Sequence, residues 1–144
     1  MGLFGRKKSP FDELQEQCQV VAREADSTRK KSEHSLRGKY EHMSAEERAD
    51  LLKEALGSWK LAHSALDAAR ALQGKLDKAG SEEQMAAESL ILSANLDVSK
   101  ADASLQEARN SLMKGVGEVE EYFGPKSKEA KHLRKVLSEF QLPG

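Results

Sequence analysis

The chain contains a single cysteine, Cys18, so an internal disulfide is impossible and a reducing compartment is expected. It has three prolines, at positions 10, 125 and 143, which leaves long stretches free of helix breakers. Aromatic residues make up only 5% of the 144 residues, and Val and Ile are scarce, a composition poor for a sheet or a thick globular core. No apolar run approaches the roughly 18 residues that span a bilayer. The net charge of −1 lacks the basic surplus that backbone recognition of nucleic acid requires. The N-terminus has no apolar core of a secretory signal, because Leu3 and Phe4 are followed at once by Arg6, Lys7 and Lys8. A cytoplasmic protein, with the option of a peripheral place on a membrane, is the expectation.

What the chain does have is Ala, Leu, Glu, Lys and Ser, with one-third of its residues charged. That mixture suits long helices with a solvated face. Helix starts are marked by Ser9-Pro10-Phe11-Asp12, Ser44-Ala45-Glu46-Glu47 and Ser81-Glu82-Glu83-Gln84. In each a hydroxyl can cap the backbone amides, and in the last two an acid or amide three residues on can answer it. Gly80 stands where a left-handed residue ends a helix, and Gly124-Pro125 is a break. These signals predict helices over about 10–42, 45–79, 82–123 and 126–140, with a kink or fraying near Gly38.

The third segment has the clearest period. Ile91, Val98, Leu105, Leu112 and Val119 recur every seven residues, and Ala87, Ala94, Ala101, Ala108, Gly115 and Tyr122 recur between them. The second segment answers with Leu52, Trp59 and Leu66 alternating with Ala55, Ala62 and Ala69. Large residues facing small ones make a close helix–helix seam, and a tight turn at Gly80 makes the pair antiparallel. The first segment contributes Phe11, Leu14, Cys18, Val21 and Ala25. The same face then turns to Thr28, Ser32 and Ser35, so its second half is expected to be polar and loosely held. The fold class is all-α: an antiparallel long-helix hairpin (about 45–79 and 82–123) packed with an N-terminal helix as a three-helix bundle, plus a short C-terminal helix. The organisation is a flexible basic and apolar arm over 1–9, the bundle over 10–123, and a basic amphipathic helix with its tail over 124–144.

Chemistry is thinly represented. The four histidines, His34, His42, His63 and His132, are scattered, and one cysteine cannot complete a structural zinc site. Glu129 and His132 have a Glu-x-x-His spacing, but a di-iron bundle needs a second such pair. Cys18 lies on an apolar stripe, and no phosphate-cradling glycine loop is present. The sequence therefore predicts no enzyme, no cofactor, no metal and no small-molecule substrate.

Surfaces carry the remaining signals. In the arm, Leu3 and Phe4 are candidates to enter a lipid interface while Arg6, Lys7 and Lys8 meet anionic headgroups. Gly2 raises N-myristoylation, although that motif wants Ser or Thr where Arg6 stands. The octet Met1-Gly2-Leu3-Phe4-Gly5-Arg6-Lys7-Lys8 resembles the amino-terminal membrane-inserting peptide of ESCRT-III subunits. The resemblance covers those eight residues and implies peripheral membrane attachment. Those subunits end in an acidic tail, whereas this chain closes on Lys126, Lys128, Lys131, Arg134 and Lys135. That closing helix carries the stripe Leu133, Val136, Leu137 and Phe140. It suits a membrane or a partner's groove, or folds back to cap the bundle. With Leu92 and Leu96 beside the main seam, Leu133, Leu137 and Phe140 are the candidate partner-binding residues. The leading expectation is a non-enzymatic scaffold or adaptor that self-associates through helical seams and meets a cytosol-facing membrane through its arm. The alternative is an interaction module or chaperone-like subunit of a larger complex with no membrane role.

Overall fold

The structure is a computed structural model and describes residues 8–140. Among these residues four helices follow one another: α1 (Pro10–Arg37), α2 (Ala45–Ala79), α3 (Gln84–Phe123) and α4 (Lys128–Ser138). Among the described residues there is no strand. Helices α1, α2 and α3 pack on one another, and α4 packs on α2 and α3, so the all-α bundle expected from the periodicity is the fold. At about 1.5 Å per residue, α2 and α3 are roughly 52 and 60 Å long.

Local chemistry explains most of the boundaries. Ser9 Oγ accepts from Asp12 N at 3.1 Å and Asp12 Oδ2 accepts from Ser9 N at 3.4 Å. Ser44 and Glu47 make the same reciprocal pair at 3.1 and 3.4 Å. Helix α2 ends on a Schellman turn. Gly80 is left-handed (φ 63°) and donates to Asp77 O, while Ser81 N donates to Leu76 O at 3.1 Å.

That turn displaces the third expected cap. Ser81 is held inside the turn, so α3 begins at Gln84 with Glu83 as its N-cap and no side-chain cap bond. Ser81 Oγ instead accepts from Glu83 N at 3.1 Å. Helix α1 stops at Arg37 rather than near 42. Gly38 and the following residues form a turn that closes with Met43 N donating to Gly38 O at 2.9 Å. His42 completes it in the left-handed region at φ 61°. Helix α4 starts at Lys128 on a serine cap, with Ser127 Oγ accepting from Ala130 N at 3.2 Å.

The core falls into two clusters along the rod. The first joins Leu14, Cys18, Val21 and Ala25 of α1 to Leu66, Leu72 and Leu76 of α2 and Ile91 and Val98 of α3. The second joins Leu52, Leu56 and Trp59 of α2 to Leu105 and Leu112 of α3, Leu133 and Val136 of α4, and Phe140 just beyond it. The large-and-small seam of α3 is buried from Ala87 to Leu112. Beyond it Val119 is half-buried, and Tyr122 is 84% exposed.

The second half of α1 is not loosely held. Thr28, Ser32 and Ser35 are all buried, because their small side chains let α1 lie close to its neighbours; the hydroxyls of Thr28 and Ser35 find backbone acceptors, while Ser32 Oγ meets none among the described residues. Thr28 Oγ1 donates to Glu24 O at 2.8 Å, and Ser35 Oγ donates to Arg48 O at 2.8 Å. Arg48 returns the bond, its Nε donating to Ser35 O at 2.8 Å and its Nη2 to Ser111 Oγ at 3.2 Å. Where α1 thus turns polar, the apolar residues of the hairpin receive their cover from α4 instead.

Candidate interaction surfaces

Helix α3 has a full inner face and an apolar outer one. Its buried residues Ile91, Ala94, Val98 and Ala101 point into the bundle. Met85, Leu92 and Leu96 recur at spacings of seven and four on the opposite side and are 81%, 62% and 56% exposed. On α2, Leu61 is also exposed, whereas Leu72 is buried in the first cluster. Leu92 and Leu96 therefore stand at the surface, as the sequence placed them.

The other candidate partner residues do not. Leu133 is fully buried, Phe140 is 6% exposed and Leu137 is half-buried against the second cluster. Their stripe packs at the far end of the α2–α3 hairpin, in one cluster with Leu52, Leu56, Leu105 and Leu112. His132 Nε2 lies 2.9 Å from Asp50 Oδ1, and Arg134 Nε lies 3.6 Å from Glu120, pinning α4 to α2 and α3. His132 thus pairs with α2 rather than forming a ligand pair with Glu129.

Leu3, Phe4, Arg6 and Lys7 lie outside the described residues. Lys8 is exposed and pairs with Glu16, whose hydrogen bond and charge raise the lysine above its ordinary value. It lies over the groove formed with Leu72 and Lys75, at the pole of the first cluster. Helix α4 sits at the other pole. Lys8 and the basic residues of α4 are therefore separated along the rod.

One polar cluster crosses the α2–α3 seam. Asp102 accepts from Trp59 Nε1 and lies 3.0 Å from His63 Nε2, and the Trp59 and His63 rings are 4.3 Å apart. Spacing within either helix gives no hint of this trio, since only the register between α2 and α3 brings it together. It orients a histidine and satisfies a buried indole. Cys18 stands in the other core cluster, where burial pushes its thiol up. Among the described residues no group of three or more His, Cys, Asp or Glu side chains is placed to hold a metal ion. No helix among them is long and apolar enough to cross a membrane.

Comparison with family models, curated proteins and solved structures finds no match to this chain.

Proposed function

We propose that this protein is a non-enzymatic scaffold or adaptor that self-associates through an exposed helix face and attaches peripherally to a cytosol-facing membrane through its N-terminal arm. The carrying observation is the outward stripe Met85, Leu92 and Leu96 on a helix whose opposite face is already filled. The heptad seams are closed within one chain, so this outer stripe is an apolar face open to another copy.

Magnitudes set the character of such a contact. Six partly exposed apolar side chains across two copies contribute roughly 5–10 kcal/mol at about 1.5–3 kcal/mol per full burial. Association itself costs about 4–15 kcal/mol. The contact is therefore weak in dilute solution and becomes effective when copies are concentrated on a surface. Anionic lipid would supply that surface through Lys8 and the basic residues before it, each worth about 1 kcal/mol.

The test is light scattering of the full chain over a range of concentrations, alone and with anionic vesicles. Concentration-dependent growth that vesicles enhance, and that Leu92→Glu with Leu96→Glu abolishes, is the expected result. A monomer under every condition would sink the scaffold reading. The docking of α4 favours one alternative, a partner-binding module with no membrane role, because the basic closing helix has its apolar face engaged. Vesicle flotation separates the two: binding lost on removal of residues 1–8 supports the arm, and no flotation supports the module.

A further inference from the structure

Between the C-terminal half of α3 and α4 lies an open groove of about 370 Å³, lined by Arg109, Met113 and Val116 from one helix and Arg134, Leu137 and Ser138 from the other. Val116 and Leu137 are half-buried and Met113 is 46% exposed, so the wall is apolar and accessible.

The two arginines of this groove differ in kind. Arg134 is held by the fold: its Nη2 donates to Pro125 O, its Nε to Ala130 O at 3.3 Å, and Glu120 lies 3.6 Å away. Arg109 has an Nε that is fully enclosed and meets no hydrogen-bond partner among the described residues. An enclosed guanidinium nitrogen without an acceptor is unfavourable, since it has lost water and gained nothing in return. An anion reaching Arg109 from the groove would neutralise that cation where the fold does not.

We infer that this groove binds a small amphipathic carboxylate, with the acid group on the Arg109 guanidinium and the chain along Met113, Val116 and Leu137. Three observations narrow the ligand to that class. The planar guanidinium matches a carboxylate in two parallel hydrogen bonds. Glu120, on the neighbouring Arg134, disfavours a second negative charge and so selects a monoanion over a phosphate. At roughly 30 Å³ per water-sized unit, the groove holds about a dozen heavy atoms, the size of an eight- to ten-carbon acid.

The experiment titrates octanoate into the full chain by calorimetry and by amide chemical shifts, with octanol and inorganic phosphate in parallel. Octanoate binds saturably, with shifts confined to the 109–116 and 134–138 stretches, and the other two bind at least tenfold more weakly. Arg109→Gln and Met113→Glu each weaken octanoate binding at least tenfold while the helical circular-dichroism signal is kept. Met113 is at the surface, so M113E decides the matter if R109Q disturbs the fold. Equal binding of octanol overturns the anion site, and equal binding of phosphate overturns the apolar wall. Undiminished octanoate binding by M113E, or by a folded R109Q, overturns the assignment of the groove.

Discussion

At Gly38 a built Cβ would come within 2.6 Å of Met43 Sδ and 3.1 Å of Arg48 Cγ, so the turn after α1 packs directly on a hydrogen-atom side chain. At Gly57 and Gly117, on exposed positions of α2 and α3, a Cβ would meet nothing within 4 Å. The same substitution should then have opposite signs. Gly38→Ala is expected to destabilise by about 1–2 kcal/mol through overpacking. Gly57→Ala and Gly117→Ala should each stabilise by about 0.5–1 kcal/mol, by helix propensity and a less disordered unfolded chain. Urea midpoints at constant slope check all three. Cys18 supplies a pH-dependent prediction. Its thiol is raised by burial, so below the ordinary thiol range folded and unfolded chains both keep the proton. As pH rises through that range the unfolded chain ionises first and stability falls, until the raised native value is passed. The urea midpoint should therefore drop between about pH 8 and 10, and Cys18→Ala should flatten the drop. Modification of the native thiol at pH 8 should be slow and become fast in denaturant.

Among the elements, α4 is the one whose role the structure changes most. Its stripe reads equally well as a free amphipathic helix, yet Ala130, Leu133, Val136 and the following Phe140 are all buried. The hairpin needs it because α1 offers Thr28, Ser32 and Ser35 at that level instead of large apolar side chains. Leu133→Ala is expected to cost about 2–5 kcal/mol, the range for a fully buried leucine. Amide exchange should accelerate first in α4 and the adjoining parts of α2 and α3, leaving the α1-covered pole protected. A uniform loss of protection along the rod would instead mean that the two core clusters unfold as one.

For the whole molecule, the two-cluster core and the α3 outer stripe make separate demands. Leu92→Glu with Leu96→Glu alters residues that are 62% and 56% exposed, so the thermal midpoint should stay nearly unchanged, within about 0.5 kcal/mol per site. The same pair of changes is the one expected to abolish self-association. A stability loss of several kcal/mol would show that these leucines belong to the fold rather than to a contact surface. Lys8 and α4 occupy opposite poles, so a surface that meets Lys8 end-on does not also meet α4.

Helix identity, the antiparallel hairpin and the inward seam were determined by the sequence alone, since heptad spacing, serine caps and the left-handed Gly80 act between residues close in the chain. Leu92 and Leu96 were legible for the same reason: they fall outside the seam's period. What only the tertiary structure decided depends on register between helices. The polar half of α1 is buried because Ser35 and Arg48 exchange backbone bonds across the turn, a pairing no single-helix pattern contains. The choice between a free and a docked α4 turned on whether the far hairpin already had a cover. The Asp102 trio and the Arg109 groove likewise exist only where one helix's side chains arrive beside another's.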